Sequence, residues 1–244
     1  MRRFVLVLAL LAGCPSAPDE TPVVSDDDDS APTVEGPLRF RLPLSEPWMF
    51  DSQVIGFDHD PEDHGDDGPL GGAICTNHAG EGFPDCYDGH DATDFILDGG
   101  FPTMDAGSSP VVAAAAGTVI SVEESQYDRC HVEGTGVSCD GYPMIANHVI
   151  LDHGEGITTR YWHLKTDSAV VEVGDVVECG QTLGLVGSSG NSSMPHLHFG
   201  VRRDDEPFDP YAGVASQPES YWTEQDGPLG LPGQNCADWT YTPE

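Results

Sequence analysis

Between residues 110 and 201 apolar and polar side chains alternate in short runs, and each run stops at a glycine or a small polar cluster. A period of two with turns every few residues marks strands that bury one face. The runs are 110–122, split around Gly117; 147–153 and 157–164, a hairpin across Gly154-Glu155-Gly156; 170–187, punctuated by four glycines; and 196–201. The alanines at 113–116 favour helix by propensity, but the run is brief and β-branched residues flank it, so strand is the better assignment. No helix of any length is expected. The pattern predicts an all-β fold: a compact antiparallel β-sandwich or barrel-sandwich hybrid.

The flanks differ. Residues 38–57 alternate Leu38, Phe40 and Leu42 with prolines, which predicts an edge strand and an extended lead-in. Residues 15–37 are Pro, Ser, Thr, Asp and Glu, including four consecutive aspartates from Asp26, with almost nothing large and apolar to bury. Such a stretch cannot offset its conformational entropy and reads as an extended disordered tether. The expected order is a signal over 1–13, an acidic linker over 14–37, an extension of the domain over 38–86, the core over 87–211, and a tail over 212–244 packed back on the core. Two roles are open for 38–86: a cap on the domain, or a self-inhibitory cover over its groove.

A length of 244 residues suits one domain with tails. Nine Lys and Arg against 42 Asp and Glu leave a formal charge of −33, which excludes a nucleic-acid partner and fits a strongly solvated surface. Met1-Arg2-Arg3, an apolar run over 4–11 and small residues before Cys14 make a secretion signal, too short to span a bilayer. This start resembles a bacterial lipoprotein signal. The resemblance implies cleavage before Cys14, lipidation of Cys14, export, and membrane attachment through that lipid only; Pro15, where inner-membrane retention would place Asp, points to the outer membrane. The six remaining cysteines, an even number in an exported chain, read as disulfides rather than thiolate ligands. Sequence proximity pairs Cys75 with Cys86, Cys130 with Cys139, and Cys179 with Cys236.

Candidate chemistry centres on His196-Leu197-His198. In a strand, residues two apart share a face, so the imidazoles stand side by side and can supply a metal ligand, a base, or both. His90 and Asp94 would be roughly 13 Å apart in an extended chain, so a shared metal requires the backbone to bend between them; Gly89 and the small Ala92 permit it. Tyr161 and His163 are expected on one strand face. His148 and His153 read as structural hydrogen-bonding residues near the hairpin. Residues 58–68 carry enough oxygens for calcium but lack the spacing and terminal Glu of an EF-hand loop, so they read as a solvated acidic loop with His59 and His64 at the surface.

His90-x-x-x-Asp94, Tyr161-x-His163-Leu164, the Val-x-x-Gly-Asp-x-Val-x-x-Gly-Gln-x-Leu-Gly series and Pro195-His196-Leu197-His198-Phe199 together resemble the lysostaphin-type zinc metallopeptidases, which cut bacterial cell-wall peptides. The resemblance covers about residues 87–211. It implies one zinc ion held by His90, Asp94 and His198 with a fourth position open, His163 and His196 flanking that position as catalytic groups, and Tyr161 as a weaker candidate for steadying the oxyanion. It further implies peptide-bond hydrolysis in peptidoglycan. The alternative is a non-catalytic lipoprotein of the same fold that binds wall or activates an amidase; such relatives have typically lost metal ligands, whereas all five positions are intact here. The family usually has glycine where this chain has Ala92, which would be strained if the position needs positive φ. No motif bears on oligomeric state.

Overall fold

The described residues of this computed structural model, which are 37–64, 72–239 and 241–243, form eleven strands, seven of them from the alternating runs and four outside these; Ala113–Ala116, expected as strand, are a bend between two of them. The signal, Cys14 and the acidic linker up to residue 36 lie outside them, as does the 65–68 part of the acidic loop. The main sheet contains β1 (Thr93–Ile96), β3 (Gly117–Glu123), β6 (His148–Asp152), β7 (Ile157–Trp162), β8 (Val176–Val177), β10 (His196–Arg203) and β11 (Glu206–Phe208). Its order is β1-β10-β7-β6-β3-β8, with β11 also paired to β10, and every pairing is antiparallel. A second sheet pairs β2 (Pro110–Val112) with β9 (Thr182–Leu185), and a hairpin pairs β4 (His131–Glu133) with β5 (Gly136–Ser138). The fold is mostly β and antiparallel, as the period of two predicts.

Alternation along the strands assigns the two faces. Leu197, Phe199 and Val201 on β10, Tyr161 on β7, and Val149 and Leu151 on β6 enter one core with Val111 of β2 and Leu183 of β9. The residues between them, His196, His198, Trp162, Arg160 and His148, therefore lie on the opposite, open face of the main sheet.

Residues 38–57 contain no strand, contrary to expectation: Phe50 and Ile55 make only single bridges, to Leu97 and Asp94 along the free edge of β1, and the first part of the stretch is not at an edge. Phe40, Leu42 and Leu44 are each 0% exposed. Their backbone bonds go to different segments: Phe40 N donates to Tyr221 O, Arg41 N to Ala114 O and Leu42 N to Gly233 O. A stretch shared between two neighbours makes single bridges rather than a ladder. Residues 38–56 are thus built into the core, with a short 3-10 turn at Pro47–Met49. The C-terminal tail covers them, burying Trp222 and Leu231, and Cys179–Cys236 ties it to the body. Cys75–Cys86 and Cys130–Cys139 also form, so all three proximity pairings hold.

Two further expectations are corrected. A helix does exist, α1 (Gly100–Gly107). Pro102 sits in its first turn, where a missing N–H costs nothing, and Met104 is its one buried residue, so no helical period reaches the sequence. Residues 170–173 are not strand either: Gly174 turns at φ 98°, Asp175 Oδ2 accepts Glu172 N, and Val170 and Val173 are exposed.

Candidate active site

The centre sits where β1, β10 and the end of β7 meet. Asp94 pairs with His198 in the β1–β10 register, and His198 pairs with Trp162 across β10–β7. His90 joins them because the chain bends rather than extends: Gly89 has φ 71°, His90 N donates to Tyr87 O, and strand begins only at Thr93. Ala92 is not among the residues with positive φ and is buried, so alanine there carries no backbone strain.

Three acceptor atoms converge. Asp94 Oδ1 lies 3.2 Å from His90 Nε2 and 2.9 Å from His198 Nδ1, and the two nitrogens are 3.4 Å apart. His90 Nδ1 donates to Gly56 O at 2.7 Å, which turns its Nε2 lone pair inward. A tetrahedral zinc site with ligands at about 2.0–2.1 Å has ligand–ligand edges near 3.3 Å, so the spacing fits zinc, and two imidazoles with a carboxylate are a zinc donor set. His163, His196 and His198 likewise bring ligand atoms within 4.8 Å of one another. Among the described residues, the acidic loop at 58–64 joins no such group. Asp58 accepts from the backbone N–H of Asp60, Thr76 and Gly89, which orders the loop.

The other two histidines are held the same way as His90. His163 Nδ1 donates to Ser189 O at 2.6 Å and His196 Nδ1 to Met194 O at 2.7 Å. Each therefore presents Nε2, and His196 Nε2 stands 3.6 Å from Asp94 Oδ1. The two rings are 4.6 Å apart. His163 reaches its place by leaving the strand: its φ is 64°, so it departs from the alternation that Tyr161 follows.

Burial and charge set the protonation tendencies. Burial alone would raise the Asp94 carboxyl, but the charges of His90 and His196 and hydrogen bonds from His198 and His90 hold it well below the usual carboxylate range. Burial works against a charged His90, yet Asp94 and the Gly56 carbonyl outweigh it and raise its pKa. Burial, with His196 and His198 alongside, pushes His163 well down. Burial is also the main cause lowering His196. Two neutral imidazoles thus face an ionised carboxylate and two further imidazoles.

Tyr161 does not join them. It is 0% exposed, its hydroxyl accepts Ala114 N at 2.8 Å, and it lies 3.1 Å from Thr159 Oγ1. Alternation sends it into the core while His163 turns the other way, so the expected shared face is absent and Tyr161 is withdrawn as an oxyanion group. His148 and His153 are structural, as expected: His148 Nε2 bonds Ser121 Oγ, and His153 bonds Ala116 O and Thr159 Oγ1. His59 is not simply on the surface, for its Nε2 lies 2.8 Å from the buried Asp209. His64 is paired with Asp60.

Sequence reasoning missed Asp91, whose Oδ1 is 3.8 Å from His198 Nε2 and whose Oδ2 binds Arg202 Nη2, and Trp162, which stacks on His198 at 5.7 Å. Trp162 could have been found from its position beside His163. The carbonyls of Gly56, Ser189 and Met194 carry no side-chain signal at all.

Residues 99–210 match Peptidase family M23. That range holds His163, His196 and His198, while His90 and Asp94 lie just before it. The chain is 34% identical over 97 residues to the murein hydrolase activator EnvC of Escherichia coli, covering 38% of this chain and 22% of EnvC. It is 37% identical over 68 residues to the peptidoglycan DD-endopeptidase ShyB of Vibrio cholerae, covering 28% and 16%. It is 33% identical over 91 residues to lysostaphin of Staphylococcus staphylolyticus, covering 37% and 15%. The chain thus spans less than a quarter of the length of these relatives. The segment 99–210 is thus similar to a peptidase family M23 domain, and over the aligned stretches the chain is homologous to lysostaphin and to ShyB.

Proposed function

We propose that this domain is a zinc-dependent endopeptidase acting on the peptide cross-links of bacterial peptidoglycan. The observation that carries it is the convergence of His90, Asp94 and His198 at zinc-site spacing with two neutral imidazoles beside them. His90, Asp94 and His198 would hold the ion. Zinc, when bound, supplies a Lewis acid that makes water a nucleophile near neutral pH and polarises a carbonyl. His196 and His163 present unprotonated Nε2 atoms, so one accepts the proton of the attacking water and returns it to the leaving amine. The other can stabilise the oxygen on which charge develops only as an imidazolium, with its Nδ1–H kept on the carbonyl and a second proton, taken from solvent, on Nε2 to donate. The carbonyls of Ser189 and Met194 keep both rings in one orientation throughout.

The relatives support this substrate: ShyB is a peptidoglycan DD-endopeptidase by name. Under this reading the N-terminal signal exports the chain, lipid on Cys14 anchors it at the cell envelope, on the outer membrane, and the acidic linker gives it reach to the wall. The likeness to EnvC supports a second reading, a non-catalytic activator of wall hydrolases. Zinc content of the purified protein, beside digestion of purified peptidoglycan with mass analysis of the fragments, separates the two. About one zinc per chain with chelator-sensitive release of cross-link peptides supports the enzyme. Zinc-free protein, or zinc with no cleavage of any wall type, supports the activator.

A further inference from the structure

On the open face of the main sheet, just beyond His198, lie two of the protein's few cations. The β10–β7 register sets Trp162 opposite His198 and Arg160 opposite Gly200, and Arg202 follows two residues after Gly200. Residues directly opposite on paired strands, and residues two apart along one, share a face. Trp162, Arg160 and Arg202 therefore continue the surface that carries His198. Gly200 lies about 7 Å along the strand from His198, the span of two residues of an extended peptide.

Several observations mark this strip as a place for an anion. Arg39, Arg41, Arg129, Lys165, Arg202 and Arg203 each donate to a carboxylate, a carbonyl or a hydroxyl. Arg160 has no such partner among the described residues; its guanidinium stands 6.0 Å over the Trp162 ring. Arg160 Nε, Trp162 Nε1 and Arg202 Nε are all buried without an acceptor. Buried donors left unpaired are rare and costly, and three on one short strip indicate an acceptor that the chain itself does not provide. Burial and the neighbouring Arg202 charge both disfavour the Arg160 cation, while Asp91 and Asp205 favour it from a distance. Asp91 is already engaged by Arg202. Gly200 adds no side chain between the two arginines, where a Cβ would stand in van der Waals contact with Arg160 and Ala92 at 3.7 and 3.8 Å.

We propose that Arg160, with the Trp162 indole N–H and Arg202, forms a subsite for a free carboxylate of the peptide substrate, one or two residues from the bond that is cut. A planar guanidinium matches a carboxylate fork to fork. In a chain of net charge −33, such a strip gives an anionic peptide one place to dock against otherwise repulsive surroundings. The subsite rests on the peptidase reading for its occupant, and it adds a selectivity: peptides whose carboxylates are free are favoured over those amidated.

The test uses the full chain and two matched sets of wall peptides, one with free carboxylates and one with the terminal or the internal carboxylate amidated. Cleavage of cross-linked peptides by the zinc-loaded protein gives kcat and KM; binding of uncross-linked stem peptides to zinc-free protein is measured by calorimetry. We expect at least a tenfold preference for the free acid, expressed in KM and in Kd, and the amide position that abolishes it identifies which carboxylate docks. Arg160→Gln narrows the preference to under twofold by raising KM for the acid, and Arg160→Lys restores part of it. Equal KM and Kd for acid and amide in the unaltered protein overturn the subsite, whatever the variants do. So does an Arg160→Gln variant in which kcat alone falls. Selective binding of the acid without cleavage keeps the subsite and overturns the peptidase reading; cleavage without selectivity does the reverse.

Discussion

His163 donates from Nδ1 to the carbonyl of Ser189 at 2.6 Å while its own backbone sits at φ 64°. The two facts belong together. Left-handed backbone at a non-glycine residue is disfavoured by about 1 kcal/mol or more, and it frees this side chain from the alternation of β7 that sends Tyr161 into the core. The Ser189 carbonyl then fixes the ring. Ser189 is itself tied down, its Oγ donating to Leu164 O and accepting Asn147 N.

The proposed roles of metal ligand and of base predict separable losses at this site. Asp94→Ala removes the one atom shared by His90 and His198 and should weaken zinc binding by more than about 100-fold, beyond what outer-sphere changes cause. Peptidoglycan cleavage should vanish with it while the circular dichroism spectrum is kept. Normal zinc content in Asp94→Ala would remove that residue from the ligand set.

His163→Gln should behave otherwise. Zinc content stays near that of the unaltered protein, and kcat drops by roughly 10²–10⁴, the worth of a positioned acid–base group. A variant that lost zinc as completely as Asp94→Ala would make His163 a ligand instead.

The three disulfides should not contribute equally. Cys179–Cys236 closes a loop with a sequence separation of 57, against 9 for Cys130–Cys139. Loop-closure entropy then assigns about 4 kcal/mol to the first and about 3 to the second. Cys179–Cys236 also pins the tail that covers Phe40 and Leu42. Guanidinium unfolding midpoints of the paired Cys→Ala variants measure the order, and a larger loss from the Cys130–Cys139 pair would contradict it.

His153 makes stability sensitive to acid. Burial lowers its pKa to about 4, partly opposed by the Ala116 carbonyl and Asp152. The unfolded chain takes up this proton near pH 6.5, so between those values the unfolded state holds more protons and stability falls as the pH drops. The full difference is on the order of 3 kcal/mol. Denaturant titrations at stepped pH should show that decline, and His153→Gln should flatten part of it. An unchanged slope in the variant would assign the acid sensitivity elsewhere.

The sequence by itself determined most of the central strands, the hairpin at 154–156 and the three disulfides, which are local or pairwise properties that alternation, turn residues and spacing state directly. His90, Asp94, His163, His196 and His198 are singled out together only by the family resemblance of their motifs. The tertiary structure decided the rest. Phe40, Leu42 and Leu44 look like an edge strand because alternation reports that one face is buried but not which partner supplies the bonds; here two distant segments share them. Tyr161 and His163 are two apart and still face opposite ways, since one left-handed residue ends the alternation and only the surrounding fold stabilises it. His90 meets Asp94 because backbone carbonyls and a glycine turn bend the chain, and carbonyl positions have no side-chain code. The pairing of Arg160 with Gly200 across β7 and β10 is a matter of register. Register is set by the whole sheet's burial pattern and not by either strand alone.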